Sequence, residues 1–262
     1  MDLGLRGKRA LVMGASKGLG RAVAEGLAAE GAMVALASRD RAALSALAES
    51  LAAKSGAPAH SIAADVGDPA SMAALADEAL LRMGGVDILV LNHGGPSVGP
   101  ALDLDIAELE AQFAKMVVAP IRLAMRLLPG MRERRWGRII TVGSSGMVQP
   151  LPNMVLSNTL RGAIVGWNKT LANEVAAEGI TCNILAPGAI LTDRLKDTAG
   201  LTARKEGISL EEALARRAAT IPAGRIGTPE EYGAVATFLA SERASYITGS
   251  IIRCDGGIVR GL

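Results

Sequence analysis

The chain has 262 residues, half of them hydrophobic and 21% charged, and its 28 Lys and Arg against 26 Asp and Glu leave a net charge of +2. That composition excludes a disordered chain, and the near-balance of charge gives no electrostatic case for nucleic acid or an anionic membrane. Two each of Trp, Tyr and Phe leave no base-stacking platform, two distant cysteines give no disulfide framework, and two histidines without nearby thiols give no metal site.

Short apolar runs stand at Ala10–Met13, Met33–Ala37, Ile62–Ala64, Val86–Leu91, Arg138–Val142, Thr181–Leu185 and Ser250–Cys254. They are too short for helices and lack a clear period of two, which predicts strands buried on both faces. Between them the pattern predicts helices over about Leu19–Glu30, Arg41–Lys54, Pro69–Met83, Ile106–Arg134, Met154–Glu178 and Thr228–Ala240. Asp68 before Pro69, and Thr228 before Pro229-Glu230-Glu231, are helix-start signals. This alternation predicts an α/β fold of Rossmann type: a doubly wound parallel sheet of about seven strands with helices on both faces. Without a linker or an internal repeat, residues 1–262 read as a single domain. No apolar run approaches the roughly 18–20 residues of a membrane span, and the first ten residues lack the apolar core of a secretory signal. The expected location is the cytoplasm, with no membrane partner.

One stretch breaks the rhythm. From Ile190 to Gly227 the strand–helix step is enlarged, with a short helix expected near Leu210–Ala219. Ligands of doubly wound sheets bind beyond the carboxyl ends of the strands, so residues 190–227 read as a substrate lid. A surface embellishment or subunit contact is the alternative.

The first strand runs into Gly14-Ala15-Ser16-Lys17-Gly18-Leu19-Gly20 and then a helix. Glycines there permit a tight turn and let backbone N–H groups approach a pyrophosphate, which makes this a dinucleotide-binding domain. The second strand ends at Ser38-Arg39-Asp40. An NAD-selective site wants a carboxylate directly after this strand for the ribose hydroxyls. Lys17 and Arg39 instead favour a 2′-phosphate, hence NADP over NAD. Asp40, one residue on, is the competing feature.

With these residues in place the chain resembles the short-chain dehydrogenase/reductase superfamily, closest to its β-ketoacyl-[acyl-carrier-protein] reductase-like branch, from Leu5 to Leu262. The family's TGxxxGxG turn is matched by Met13-Gly14-Ala15-Ser16-Lys17-Gly18-Leu19-Gly20, and its adenine-contacting acid by Asp65-Val66. Its NNAG loop corresponds to Leu91-Asn92-His93-Gly94 and its PG motif to Pro187-Gly188, with Thr192 where the family contacts the nicotinamide carboxamide. The ending Tyr246-Ile247-Thr248-Gly249 and Asp255-Gly256-Gly257 is also similar. The resemblance implies cofactor-binding roles for Gly14, Ser16, Lys17, Gly18, Leu19, Gly20, Arg39, Asp65, Val66, Asn92, Gly94, Pro187, Gly188 and Thr192. It also implies self-association as a homotetramer or homodimer.

The family's catalytic pattern fits less well. Its Asn, Ser, Tyr and Lys fall here on Met116, Ser144, Ser157 and Arg161, with Tyr expected 13 residues after Ser and Lys four after Tyr. The chain's only tyrosines, Tyr232 and Tyr246, lie in the C-terminal segment. Carbonyl reduction leaves negative charge on oxygen, which needs a proton donor and a stabilising dipole; a phenol beside a lysine cation suits both. A serine hydroxyl is a weaker acid, and a guanidinium keeps its proton. Ser144 remains a candidate hydrogen-bond donor to the substrate oxygen, Ser157 a proton relay through water, and Arg161 a cation for the ribose or that oxygen. His93 replaces the family's Ala in the loop near the nicotinamide. It reads either as the proton-transfer group that replaces the absent acid or as a loop histidine fixing local backbone. Asn153 and Asn158 read as substrate-orienting or as turn and helix-surface residues, and Met116, Met147 and Met154 as apolar packing.

Three functions follow. The leading one is an atypical NADP-dependent oxidoreductase acting on a carbonyl or alcohol of a small molecule, with Ser144, Ser157, Arg161 and His93 in its site. The others are a cofactor-binding protein without turnover, and a non-redox elimination or isomerisation on the same scaffold. Halohydrin dehalogenases, similar in carrying Arg at the Lys position, keep the tyrosine and lose the cofactor glycines; this sequence does the reverse.

Overall fold

The computed structural model describes residues 1–261. Seven strands form one parallel sheet in the order β3-β2-β1-β4-β5-β6-β7. They are β1 (Arg9–Met13), β2 (Met33–Ser38), β3 (Ala59–Ala63), β4 (Ile88–Leu91), β5 (Gly137–Val142), β6 (Ile180–Pro187) and β7 (Ile251–Cys254). Helices α1 (Gly18–Ala29), α2 (Arg41–Ser55) and α9 (Pro229–Ala240) cover one face of the sheet. Helices α3 (Pro69–Met83), α5 (Ala119–Glu133) and α6 (Val155–Val175) cover the other.

Burial on both faces explains why the strands carry no alternation. Ala10 and Val12 of β1 with Ile88 and Val90 of β4 enter the core beneath α1, α2 and α9. The intervening Leu11, Met13, Leu89 and Leu91 enter the core beneath α3, α5 and α6. Side chains of successive strand residues point to opposite faces, so a strand between two helix layers needs an apolar residue at every position. The expected helix starts are present. Asp68 accepts a hydrogen bond from the Ala70 amide at 2.9 Å. Thr228 and Glu231 form a reciprocal capping box at α9, with the Thr228 amide donating to Glu231 at 2.8 Å.

Three expected elements differ. The third strand spans Ala59–Ala63 rather than Ile62–Ala64; it is the sheet's edge, only partly buried, so polar His60 and Ser61 belong to it. The helix expected over Ile106–Arg134 is divided: α4 (Ile106–Phe113) passes through a π-helical turn at Ala114–Val118 before α5 begins. The 190–227 stretch holds two helices, α7 (Asp193–Glu206) and α8 (Leu210–Ala219), where only the second was expected.

Strand order reverses between β1 and β4, since β2 and β3 lie on one side of that pair and β5 to β7 on the other. A crevice opens at such a reversal beyond the carboxyl ends of the strands. The loops after β1 and β4 form its walls, and the Asn92 side-chain amide ties them by donating to the Gly14 carbonyl at 3.3 Å.

Candidate active site

Every site residue read from the sequence lies at the carboxyl edge of the sheet. The glycine turn follows β1, Arg39 follows β2, Asp65 and Val66 follow β3, and Asn92, His93 and Gly94 follow β4. Ser144 follows β5, Pro187-Gly188 and Thr192 follow β6, and Ser157 and Arg161 stand on the first two turns of α6.

The glycine turn is shaped by close approach. Gly14 and Gly18 adopt positive φ of 60° and 58°, which L side chains rarely tolerate. A Cβ on Gly20 would collide with the Gly14 carbonyl oxygen and lie 2.7 Å from the Asn92 side chain, so the turn packs only with glycine there. No side chain caps α1, whose N-cap is Lys17, whereas the N-cap side chains of α2, α3, α4, α8 and α9 each accept a hydrogen bond from a helix amide. The first amides of α1 are therefore left to an anionic ligand, and the residues fit a dinucleotide pyrophosphate.

The two residues after β2 separate in role. Asp40 Oδ1 accepts from the Ala43 amide at 3.0 Å and caps α2, while the Asp40 amide donates to Ser38 Oγ at 3.2 Å. One of its carboxylate oxygens is thus engaged by the helix. Arg39 stays exposed with its guanidinium at the strand tip. Lys17 Nζ lies 3.5 Å from Asp193 at the start of α7, and both side chains are largely exposed. An ion pair of that exposure is worth about 0–1 kcal/mol, so Lys17 can leave it for a phosphate at small cost. Asp65 accepts from the Gly67 amide at 2.9 Å, and its own amide donates to Ser71 Oγ at 2.9 Å. A Cβ on Gly18 would stand 3.5 Å from the Thr192 methyl, which sets Thr192 against the glycine turn.

On the catalytic side, Ser144 Oγ accepts from the Gly146 amide at 3.1 Å, which leaves its own proton free to donate outward. Ser157 is 4% exposed. Arg161 is buried as well, with Nη1 donating to the Val142 carbonyl at 2.6 Å and Nε without a partner. Burial lowers its guanidinium to about 10, with the nearby Tyr232 opposing the shift and the positive charge of Arg194 adding to it. It therefore remains a cation at neutral pH.

His93 is held in its neutral form. Burial, followed by the charge of Arg161, lowers its imidazole to about 4 against the pull of the Gly94 carbonyl. The ring is neutral at pH 7. Nδ1 lies 2.8 Å from the Gly94 oxygen, which can only accept, so the proton of the neutral ring sits on Nδ1 and the lone pair on Nε2. In this geometry the ring fixes the loop through Nδ1 and leaves a lone pair on Nε2.

The other candidates make local contacts. Asn158 clamps the preceding loop, donating to the Leu151 carbonyl at 2.9 Å and accepting from the Leu151 amide at 3.3 Å. Asn153 takes a positive φ of 56° in that loop, and its carbonyl accepts from the Gly99 amide at 2.8 Å. Met116 packs with Val117, Leu156, Leu160 and Ile164. Tyr232 is fully buried and donates to the Leu185 carbonyl at 3.0 Å, while Tyr246 is fully exposed. The sequence reading missed Arg194, whose Nη2 donates to the Pro96 carbonyl at 2.6 Å and so reaches from α7 to the loop after β4. No local pattern marks it; only the fold brings these segments together.

Comparison with known proteins agrees with this arrangement. Residues 14–259 match the family model described as enoyl-(acyl carrier protein) reductase. The chain belongs to the short-chain dehydrogenase/reductase superfamily. It is 34% identical to the 3-oxoacyl-[acyl-carrier-protein] reductase FabG of Vibrio cholerae over 98% of this chain and 99% of that one. It is 32% identical to the NADPH-dependent reductase BacG of Bacillus subtilis over 97% of this chain and 99% of the relative. The crystal structure of L-sorbose reductase from Gluconobacter frateurii, complexed with NADPH and L-sorbose, superposes with a TM-score of 0.95 at 37% identity, covering 100% of both chains. Among the described residues no helix is long and apolar enough to cross a membrane, and no cluster of His, Cys, Asp or Glu is arranged to hold a metal.

Proposed function

We propose that this chain is an NADP-dependent oxidoreductase that interconverts a carbonyl and an alcohol on a small molecule without the tyrosine and lysine of its superfamily. The observation that carries the cofactor choice is that Asp40 caps α2 through Oδ1 while Arg39 stands exposed after β2 and Lys17 at the glycine turn. The NADPH dependence of the Bacillus relative and the NADPH complex of the sorbose reductase support the same reading. When bound, NADP(H) supplies or accepts the hydride. Gly14 to Gly20 would hold its pyrophosphate, Asp65 and Val66 its adenine, Asn92 and Gly94 the adjoining loop, and Pro187, Gly188 and Thr192 its nicotinamide end.

The chain's own residues divide the remaining work. Ser144 donates a hydrogen bond to the substrate oxygen. Arg161, a buried cation, stabilises negative charge on that oxygen. His93 accepts the hydroxyl proton at Nε2 in the oxidative direction, and Ser157 relays it through water. A positioned acid is worth about 10²–10⁴ in rate, so reduction at neutral pH is slow by that order compared with a site holding a tuned phenol.

Residues 190–227 act as the substrate lid. The segment leaves and returns at one place, where Ile190 and Gly227 form an isolated bridge, and α7 and α8 pack on each other through Ala199, Ala203 and Ala213 apart from the two main cores. Two or four copies assemble, covering apolar side chains such as Phe113 and Met125, which are 43% and 49% exposed.

The test is isotope transfer. Protein is incubated with NADPH deuterated at the transferable nicotinamide position and a panel of ketones and aldehydes, and products are read by mass spectrometry. Deuterium on carbon of an alcohol product is expected; an unlabelled panel overturns the assignment.

A further inference from the structure

The long helical stretch after β4 changes partner in its π-helical turn. Within Ala114–Val118, Met116 and Val117 join Leu156 and Leu160 of α6 in one apolar cluster. Just beyond it, Ala119 and Leu123 of α5 join Met72 and Leu75 of α3 in another. A π-helical turn inserts an extra residue into the helix and is found frequently at functional sites. The residue it turns outward between these two packed faces is Lys115, which is exposed.

The stem of Lys115 crosses to the loop after β3. A Cβ built on Gly67 would stand 3.0 Å from Lys115 Cε, 3.8 Å from its Cδ and 3.4 Å from Asp65 Oδ1. Gly67 has no positive φ that would call for glycine, so the missing side chain there is room for the lysine stem. The ammonium, one bond beyond Cε, is thereby brought to the neighbourhood of the Asp65 carboxylate. Yet Lys115 forms no ion pair among the described residues.

The loop itself is fixed. Asp65 Oδ1 accepts from the Gly67 amide at 2.9 Å, the Asp65 amide donates to Ser71 Oγ at 2.9 Å, and the Asp65 carbonyl accepts from the Asp68 amide at 3.1 Å. A held carboxylate and a flexible cation therefore stand side by side on the loop assigned above to adenine. Adenine offers the chemistry both can use: an exocyclic amine that donates at its edge, and a π face that attracts a cation.

We propose that Lys115 is a further dinucleotide-binding residue, which folds over the adenine seated at Asp65 and Val66 and sets its ammonium on the face of the base. This rests on the reading of the chain as a dinucleotide enzyme and adds a contact distinct from the 2′-phosphate assigned to Lys17 and Arg39. Because NADPH and NADH carry the same adenine, Lys115 serves both alike.

The test measures dissociation constants by calorimetry for NADPH, NADH and the fragment 2′,5′-ADP on wild-type, Lys115→Met and Lys115→Arg protein. Lys115→Met keeps an unbranched stem and loses the charge. It should weaken all three ligands by a common factor of about three to ten, with the thermal midpoint of the unliganded protein unchanged. Lys115→Arg should retain most of the affinity, since a guanidinium also stacks on a base. Unchanged affinities in Lys115→Met overturn the proposal and leave the dinucleotide reading standing. A loss confined to NADPH and 2′,5′-ADP overturns it by placing the ammonium on the 2′-phosphate, and a loss that spares the fragment overturns it by placing the effect away from adenine. Wild-type protein that binds none of the three removes the dinucleotide reading and this contact with it.

Discussion

Replacing Asp40 separates helix capping from cofactor recognition. Its Oδ1 accepts from the Ala43 amide at 3.0 Å, and the first turn of α2 contains no other acidic residue. Loss of an N-cap hydrogen bond costs about 1 kcal/mol, and loss of the only negative charge at a helix N-terminus adds about 0.5 kcal/mol. Asp40→Ala should therefore destabilise the fold by about 1.5 kcal/mol. For a chain of this size each kcal/mol lowers the midpoint by about 2–4 °C, so a fall of about 3–6 °C is expected. Asp40→Asn keeps the hydrogen bond and loses only the charge, for a fall of about 1–2 °C. Neither change should invert the preference for NADPH. Thermal unfolding followed by circular dichroism gives the first quantity, and fluorescence titration with each dinucleotide gives the second. An Asp40→Ala protein that melts with the wild type but binds NADH about tenfold more weakly would refute the reasoning, because the carboxylate would then be serving the ribose.

Further consequences can be checked with less effort. Tyr232→Phe removes a buried hydrogen bond to the Leu185 carbonyl and should cost about 1 kcal/mol while leaving turnover unchanged; a large loss of turnover at full stability would give this tyrosine a chemical role. His93, lowered to about 4, holds the active neutral form of a base above that pH. Alcohol oxidation should be insensitive to pH between about 6 and 8 and fall about tenfold per unit below about 4, whereas carbonyl reduction, which needs the imidazolium, should fall as pH rises above about 4. His93→Gln should erase both slopes, and slopes that persist in it belong to another group. Gly20→Ala drives a methyl into the Gly14 carbonyl, with an overpacking cost of about 1–3 kcal/mol and a loss of dinucleotide affinity readable by the same titration.

What could be read from the sequence follows physical lines. The glycine turn was legible because positive φ and close approach admit almost one residue type. The central strands were legible because two helix layers demand apolar residues at consecutive positions. By contrast, α7 presents only Ala199 and Ala203 to the interior, and alanine on a charged helix gives no apolar stripe. The π-helical turn at Ala114–Val118 lies just before Pro120, which has no amide to continue the helical ladder, but the apolar pattern runs through it unbroken. The edge strand β3 begins with residues as polar as a loop's because one of its flanks faces solvent. The role of Asp40 was ambiguous in the sequence because N-cap and ribose acceptor ask for the same carboxylate one residue apart; hydrogen-bond geometry separates them. The reach of Arg194 to the Pro96 carbonyl joins segments far apart in the chain, which no local pattern encodes.

The most direct test of the account is a titration of wild-type and Arg39→Ala protein with NADPH and NADH, followed by the fluorescence of the bound nicotinamide. Charge-assisted hydrogen bonds to a phosphate are worth about 1.5–3 kcal/mol, or roughly tenfold to a hundredfold in affinity. The wild type should bind NADPH more tightly than NADH by that factor, and Arg39→Ala should lose most of the difference with NADH binding unchanged. Equal binding of the two dinucleotides by the wild type, or binding of neither, would contradict the assignment of NADP and with it the function built upon it.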